Sequence, residues 1–596
     1  MKTKSPNFIF LSLFISIFIV FIISTNLIYS QWSSDPQVNL QVCNVSNSQT
    51  LPKISPTSDG GCFISWFDSR GNGQYKVYLQ RLNANGQKLF APDGLLISDK
   101  PQNSFLGDYD MKTDPNDNAV IVFSDRRNSP GDTILNPFAY KISSAGQFLW
   151  GPNGVTISAS TSAYQVWPKA AILTDGSVIV VWWYINSAQR NSWITMQRLD
   201  TSGVPQFTSP INIQDPGGKR YQYPDVVASN YGSYILSWVY GPKDTVGSFI
   251  PDNVSIFTNK CDSYGNLLWG ANHKVVYTNT GNHVPIYSVP RIYPDGNSGA
   301  LYSYFTTEAN VIYSSAQRFD SFGNNLFPAN GSISAISNQY YHVEPYLAYM
   351  PGTDETFLFW TEADAATQDH QAIFGQKFSS TGARLWGDNG RGFSALDTVS
   401  IYGISCFAKD TNVVVTYADG NFNGISTLNG FRVGRSGGYS WNSEPILSNV
   451  PSGKGYVSGA FTPAGMTILT WEDNRNSGTG EGGGIYAQNL NYNGSIGPVG
   501  ITQISTAVPD NFLLRQNYPN PFNNSTVIEF DIKNSGNYTL EIFNNIGQKT
   551  DELMNEQKSQ GSYRINYTAD KLSSGIYYYK LSSDKINIVK KFILLK

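Results

Sequence analysis

Residues 178–183 read Val178-Ile179-Val180-Val181-Trp182-Trp183, a continuously apolar run that ends in aromatic side chains. Similar runs recur as Phe63-Ile64-Ser65-Trp66, Ile235-Leu236-Ser237-Trp238, Phe357-Leu358-Phe359-Trp360 and Ile468-Leu469-Thr470-Trp471. Runs of β-branched and aromatic residues predict strands, and an uninterrupted apolar run predicts a strand that is buried on both faces. Because the run recurs, we expect a fold that is built from one repeated unit.

Each unit contains about four predicted strands, which turn sequences separate. The first unit opens with Pro52-Lys53-Ile54-Ser55, turns at Asp59-Gly60-Gly61, and closes with a strand at 94–98. A turn glycine after the third strand marks the same place in every unit, and successive turn glycines are 55 to 62 residues apart. They are Gly86, Gly146, Gly203, Gly265, Gly323, Gly382, Gly437 and Gly494. The chain therefore carries eight units between about residues 50 and 505.

Four-stranded sheets that stack around one axis bury both of their faces and leave only short edges. A string of separate sheets would instead expose apolar faces to solvent. We therefore predict an all-β chain with a β-propeller of about eight blades. Seven blades plus an irregular unit is the variant, since the unit at about 400–450 departs most from the pattern. The segment Val38-Asn39-Leu40-Gln41-Val42 resembles the last strand of a unit, and we predict that it pairs into the last blade and closes the ring.

The composition excludes several classes of function. The chain has 596 residues, a formal net charge of -3 and 14% charged residues, so no basic surface for nucleic acid is expected. The four cysteines form no CxxC pair, and we expect them to be buried; they are Cys43, Cys62, Cys261 and Cys406. A disulfide between Cys43 and Cys62 is the alternative. The four histidines lack metal-site spacing. No cofactor or metal is predicted, although the Asp114–Asn118 loop has the oxygen ligands that calcium prefers.

A polar set follows the second strand of three units, as Trp66-Phe67-Asp68-Ser69-Arg70, Phe123-Ser124-Asp125-Arg126-Arg127 and Trp471-Glu472-Asp473-Asn474-Arg475. One interpretation is a ring of ligands for sugars or acidic groups. The other is structural, because an Asp after a strand accepts backbone N–H bonds and a nearby Arg can pair with it or stack on the aromatic ring. We favour the structural interpretation, because a feature that recurs in each unit serves the unit.

No linear catalytic motif is present. The Asp-Gly turns at Ser58–Gly61 and Thr174–Ser177 share only the turn with the sialidase Asp-box. Four carboxylates could supply a glycosidase pair, but the sequence does not show their separation; they are Glu308, Glu344, Glu362 and Asp364. Aromatic residues such as Trp182, Trp183, Tyr184 and Trp193 either stack on sugars or fill the core. We therefore expect a protein that is not an enzyme, with no catalytic residues.

The N-terminus has the three parts of a secretory signal peptide. Lys2 and Lys4 precede an apolar run from Phe8 to Ile23, and Ser30 is the predicted last residue before cleavage. An uncleaved membrane anchor is the alternative, since the apolar character continues to Tyr29. We predict a signal peptide at 1–30, a propeller at 31–506, and no integral membrane segment after cleavage.

Residues 511–596 differ from the repeats and read as a small antiparallel β-sandwich. They include an Asn-Tyr-Pro-Asn-Pro-Phe-Asn opening, a Phe-Asn-x-x-Gly-Gln turn, a Leu-x-x-Gly-Ile-Tyr-Tyr strand and a basic-aliphatic end. The segment closely resembles the type A C-terminal sorting domain of the type IX secretion system of Bacteroidota. The matching residues are Asn517, Tyr518, Pro519, Asn520, Pro521, Phe522, Asn523, Gly547, Gln548, Gly575, Tyr577, Lys590 and Lys591.

The resemblance implies passage through the periplasm, the type IX secretion machinery as partner, and a final place at the cell surface or outside the cell. It does not identify the task of the repeats. We expect a binding or interaction protein whose propeller is a rigid scaffold that recognises a glycan or a protein. The alternative is a secreted polysaccharide-active hydrolase with its site in the propeller channel.

Overall fold

The computed structural model describes residues 32–71, 73–102, 108–128, 134–186, 191–241, 254–278, 289–308, 311–420, 424–476, 483–497, 501–505, 507–523, 525–569 and 572–595. All regular elements in these ranges are strands, which confirms the all-β prediction. The predicted export signal at 1–30 lies outside them. In the described part of the chain, no helix has the length and apolar character needed to cross a membrane.

The repeats form eight four-stranded antiparallel sheets, and within sheets 1 to 7 the strand order follows the chain. The strands are Gln49–Pro56, Cys62–Asp68, Tyr75–Leu82 and Leu95–Gln102 in sheet 1; Asp110–Thr113, Ala119–Asp125, Asn136–Ile142 and Val155–Thr156 in sheet 2; Tyr164–Ile172, Val178–Asn186, Asn191–Leu199 and Ile211–Ile213 in sheet 3; Arg220–Ala228, Tyr234–Gly241, Ser255–Cys261 and Lys274–Tyr277 in sheet 4; Arg291–Pro294, Ala300–Glu308, Val311–Phe319 and Ser332–Ile333 in sheet 5; Tyr340–Met350, Glu355–Asp364, Gln371–Phe378 and Arg391–Gly392 in sheet 6; Ser400–Lys409, Asn412–Gly420, Ser426–Gly434 and Ile446–Ser452 in sheet 7; and Lys454–Phe461, Thr467–Asp473 and Gly484–Leu490 in sheet 8.

The fourth strand of sheet 8 comes from the other end of the repeats. Leu40–Cys43 pairs antiparallel with Gly484–Leu490, with Leu40 opposite Ala487 and Cys43 opposite Ile485. The predicted pairing of the N-terminal segment with the last repeat is confirmed, and we call Leu40–Cys43 the closing strand.

The sheets contact one another in a closed cycle. The first strand of each sheet contacts the preceding sheet, and the first strand of sheet 1 contacts sheet 8. Each sheet is thus covered on both faces, and every residue of the second strands Cys62–Asp68 and Ala119–Asp125 is buried. We call the first strand of each sheet its inner strand, because these strands lie at the centre of the cycle.

The turn glycines are needed where one unit packs against the next. Gly203 has a φ of +86°, and a Cβ added there would lie 2.8 Å from the ring of Trp150. The Trp150 indole N–H donates to the Thr201 carbonyl in the same turn at 3.1 Å. The same contact joins Trp269 to the turn of Gly323. A side chain at these glycines would meet both the unfavourable backbone conformation and the indole ring.

The C-terminal segment forms two further antiparallel sheets that share one apolar core. In spatial order, sheet 9 contains Ile501–Ser505, Gly561–Thr568, Ser525–Ile532 and Leu513–Leu514, and sheet 10 contains Lys549–Lys558, Gly536–Asn544, Gly575–Ser582 and Asn587–Leu594. Ile501–Ser505 pairs with Gly561–Thr568, although it precedes the end of the predicted propeller at 506. We therefore place the boundary between the two parts before Ile501.

Candidate functional site

Six inner strands carry a bulge whose residue has a positive φ, between 48° and 61°. At each bulge the pairing with the second strand shifts in register. The bulge residues are Leu51, Trp167, Tyr223, Glu344, Gly403 and Tyr456. A non-glycine residue in this conformation is strained and persists only where the surroundings hold it. The repeated bulge places one residue of each of these sheets at the same level of its inner strand, and we call this set the bulge ring.

The inner ends of three sheets meet at Asp108, which lies two residues before the first residue of the inner strand of sheet 2. Lys53 from sheet 1 lies 2.6 Å from one Asp108 oxygen, and Lys169 from sheet 3 pairs with the other. Because sheet 2 separates sheets 1 and 3, these side chains can meet only at the centre of the cycle. Burial opposes ionisation of Asp108, but the two ammonium groups outweigh it and hold the pKa of this carboxyl well below its usual range.

Glu344 is the carboxylate of the bulge ring, and its side chain is exposed. Desolvation by the protein around it raises the pKa of Glu344 above its usual value, although the Arg291 guanidinium opposes this shift. Arg291 itself stacks on the Tyr346 ring at 3.9 Å and donates to the Tyr346 hydroxyl at 3.0 Å. The inner ends of the sheets thus hold one carboxyl with a lowered pKa, Asp108, and two with raised pKa values, Glu344 and Asp225.

The structure does not bring the four carboxylates predicted from sequence together. Glu308 lies at the outer side of sheet 5, beside the turn at 328–333. Asp364 accepts backbone N–H bonds within its own turn, where it lies near Asp369 and His370. Glu362 is buried in sheet 6 and accepts a 2.8 Å bond from the Trp360 indole. Among these four, Glu344 alone belongs to the bulge ring.

Glu362 faces His342 across the sheet, with 3.6 Å between its Oε2 and the histidine Nε2. Burial raises the pKa of Glu362 to about 7 and lowers the pKa of His342 to about 4. The raised pKa of Glu362 stabilises the fold below pH 4.5, and this contribution is lost as pH rises to 7. The lowered pKa of His342 destabilises the fold as pH falls from 6.5 towards 4. The two effects oppose each other between pH 4.5 and 6.5.

Removing either partner should expose the pH dependence of the other. We expect His342→Gln to lose stability as pH rises from 4.5 to 7, and Glu362→Gln to lose stability as pH falls from 6.5 to 4, each by on the order of 1 kcal/mol. Melting temperatures at pH 4.5, 5.5 and 7 would show these opposite slopes. Parallel slopes in the two variants would contradict the pairing.

Each Trp-x-Asp-x-Arg set forms a hydrogen-bonded group around a buried aspartate, as the structural interpretation predicts, and we call such a group a clasp. Asp473 is 1% exposed and accepts bonds from the Trp471 indole at 2.8 Å and from the Arg475 guanidinium at 2.6 Å. Arg475 also stacks on Tyr486 at 3.8 Å and donates to the Asn39 side chain at 3.2 Å. Sheet 1 repeats the arrangement with Asp68, Trp66 and Arg70.

Two further sequence predictions concern thiols and calcium. All four cysteines are buried and free, so Cys43 and Cys62 are not joined. The Asp114 carboxylate accepts bonds from the Asn116 and Asn118 backbone and from Lys141 at 2.8 Å. Calcium at this loop stays a prediction.

The sorting motif residues hold the terminal strand in place. The Asn520 side chain accepts a bond from the Ile593 N–H at 2.9 Å, and the Phe522 N–H donates to the Ile593 carbonyl at 3.1 Å. Asn517 is buried and donates to Thr526, whereas Tyr518 is 80% exposed. Gly547 and Gln548 form the turn after Gly536–Asn544. In sheet 10, Tyr577 stacks on Phe592, Gly575 pairs with Leu594, and Lys590 and Lys591 lie on the terminal strand. Pro519, Pro521 and Asn523 complete the opening loop.

Sequence reasoning missed the bulge ring and the Lys53–Asp108–Lys169 group. A signal was present, because a proline follows the bulge residue as Pro52, Pro168, Pro224 and Pro345. A residue before proline is biased away from helical conformations, so a recurrent X-Pro step marks an irregular strand position.

Residues 516–595 match the family model described as a secretion system C-terminal sorting domain. This match confirms the resemblance predicted for the C-terminal segment. The type IX sorting tail indicates export to the cell surface or the extracellular space and handling by the type IX secretion machinery. No curated protein sequence matches the chain.

Solved structures resemble the chain weakly. An alpha-L-arabinofuranosidase of Fusarium graminearum is 12% identical with a TM-score of 0.32, over 56% of this chain and 95% of that chain. An alpha-L-arabinanase of Penicillium chrysogenum is 13% identical with a TM-score of 0.31, over 55% and 93%. A protein of unknown function from Dyadobacter fermentans is 12% identical with a TM-score of 0.34, over 76% and 98%.

The glycoside hydrolases among these structures overturn the expectation that the chain is not an enzyme. That expectation relied on the lack of a linear motif. The lack of a linear motif does not exclude an enzyme in a ring of repeats, because side chains from different units can meet at its centre, as Lys53, Asp108 and Lys169 do. At these identities and TM-scores the likeness assigns no substrate to this chain.

Proposed function

We propose that this exported chain is a glycoside hydrolase that acts on polysaccharide outside the cell, with its site at the bulge ring of an eight-bladed propeller. The observation that carries the proposal is Glu344, an exposed acid at a level where the other described bulge residues are apolar, aromatic or glycine. A functional site normally makes one repeat differ from the others, and Glu344 makes sheet 6 differ from the other bulged sheets at the bulge position. We further propose that sheets 9 and 10 form the sandwich that carries the sorting signal.

Glycoside hydrolysis needs one carboxylic acid and one carboxylate, and environments that push two pKa values apart identify them. In this proposal, Glu344 protonates the glycosidic oxygen of the leaving sugar. Asp108, kept ionised by Lys53 and Lys169, takes the proton of the attacking water or stabilises the positive charge at the sugar ring. Glu344 belongs to sheet 6 and Asp108 to sheet 2, so the proposal requires the two carboxyl groups to lie within about 10 Å of each other across the centre of the cycle.

The proposal gives a pH dependence with a known sign. Activity should fall as pH rises through the raised pKa of Glu344, because the acid then loses its proton. It should fall on the acid side only where Asp108 becomes protonated, below the usual aspartate range. An alkaline limb that lies within the ordinary glutamate range would contradict the assignment of Glu344.

The test is reducing-sugar release from a panel of polysaccharides by the full chain purified after export. We expect Glu344→Gln and Asp108→Asn to lower turnover by about 100-fold or more. Glu308→Gln is the matched control, because burial also raises the pKa of Glu308 but it lies at the outer side of sheet 5. Unchanged turnover in Glu344→Gln, or no sugar release from the whole panel, would refute the proposal.

A further inference from the structure

Three aromatic side chains form a cluster where sheets 3 and 4 meet at the bulge ring. The Trp167 and Tyr223 rings are 5.3 Å apart at 74°, and the Trp183 and Tyr223 rings are 5.0 Å apart at 55°. Trp167 and Tyr223 are bulge residues, and Trp183 lies on the second strand of sheet 3. All three are half-buried, whereas the neighbouring Trp182 is fully buried in the core. We call these three residues the aromatic shelf.

The shelf differs from the packed contacts elsewhere in the cycle. The indole N–H groups of Trp150, Trp182 and Trp269 each donate to an acceptor. Those of Trp167 and Trp183 have no acceptor within the part of the chain that the structure describes, and neither do those of Trp193 and Trp238. A buried indole N–H normally has a partner. The shelf rings are partly exposed, unlike the fully buried rings of Trp66, Trp182 and Trp238, and this exposure indicates that the shelf does not serve packing alone.

The charges near the shelf are balanced. Over the bulge level and the next four positions of the inner strands, the charged residues are four cations and four carboxylates: Lys53, Lys112, Lys169, Arg291, Asp108, Asp110, Asp225 and Glu344. They are linked, since Lys169 pairs with Asp108 and Lys112 pairs with Asp110. A site with no net charge gives little attraction to an anionic polymer.

We infer that the aromatic shelf is a binding subsite for a neutral polysaccharide, which stacks apolar sugar faces on Trp183, Tyr223 and Trp167. The inference rests on the proposed function and deepens it, because the shelf and Glu344 share the bulge ring. A chain held on sheets 3 and 4 would extend along the ring towards sheet 6. Aromatic rings supply a large apolar contact area, which suits the apolar face of a sugar ring.

The test is native electrophoresis of the full chain in gels that contain soluble xylan, galactomannan, arabinan or β-glucan, with polygalacturonate and alginate as acidic probes. We expect a neutral polymer to retard the chain, and Trp183→Ala and Tyr223→Ala to weaken this binding by about tenfold. Trp441→Ala is the matched control, because Trp441 is a half-buried tryptophan that contacts Tyr492 away from the inner strands. Trp183→Phe, which keeps a ring, should retain most of the binding and covers the case that Trp183→Ala does not fold.

The outcomes separate this inference from the proposed hydrolysis. Glu344→Gln should bind as the unmodified chain does while losing turnover. Shelf-dependent binding without sugar release would support the subsite and refute the hydrolase. If the shelf variants release sugar with the same KM as the unmodified chain, the subsite is refuted, and the proposed hydrolase activity still stands. Retardation by the acidic polymers alone, or by none, would overturn the inference.

Discussion

Deletion of residues 31–46 should abolish the cooperative unfolding of the whole cycle of sheets. The deletion removes the closing strand and Trp32, and the buried side chains lost include Leu40 and Val42. Burial of each large apolar side chain contributes about 1.5–3 kcal/mol, so the loss is on the order of 5–10 kcal/mol. That is comparable to the entire stability of a typical domain. The deletion stops before Gln49, which already belongs to sheet 1.

The measurement is urea unfolding followed by tryptophan fluorescence. A chain that ends at Gly497 is the control, since it lacks the C-terminal sheets but keeps the closing strand. We expect this control to retain one sharp transition, because its eight sheets are complete. A deletion variant with the same midpoint as the full chain would show that the closing strand does not hold the cycle together.

Asp473→Ala should destabilise the chain by about 3–5 kcal/mol, because it leaves the Arg475 guanidinium without its charge partner. The substitution also removes the acceptor of the Trp471 indole. Arg475 donates to Asn39, and Asn39 in turn accepts a bond from Ser448 at 2.7 Å. The clasp therefore links sheet 8, the segment before the closing strand and sheet 7.

A double variant tests whether the cost comes from the isolated charge. Asp473→Ala combined with Arg475→Ala removes both charges and should be less destabilising than Asp473→Ala alone. Urea midpoints of the two single variants and the double variant give the comparison. A double variant as unstable as the sum of the single variants would contradict the charge-pair explanation.

The sequence predicts the sheets well because their causes are local. Apolar second strands, turn glycines and the Trp-x-Asp-x-Arg sets lie within one unit, where periodicity and turn chemistry are readable. The closing strand was predicted because it resembles the last strand of a unit. The structure places it at Leu40–Cys43, a shift of one or two residues from Val38–Val42.

The candidate site was harder to predict because closure of the cycle creates it. Asp108 and Glu344 come from units two and six, and no spacing along the chain relates them. The same holds for Lys53 and Lys169, which reach Asp108 from the sheets on either side of it. Glu308, Glu362 and Asp364 belong to the acidic set that the sequence suggests, but the sheets direct them to other places.

The closing strand also sets the order in which a newly made chain can mature. Cys43 lies near the beginning of the chain and pairs with Ile485 in the last repeat, so the early segment must wait until nearly all repeats have been synthesised. Contacts between such distant residues form late in folding. The sorting domain follows directly afterwards. A prematurely terminated chain would therefore lack both the partner of its first strand and the C-terminal sorting domain. The type IX secretion machinery would then have no sorting signal to recognise on an incomplete chain.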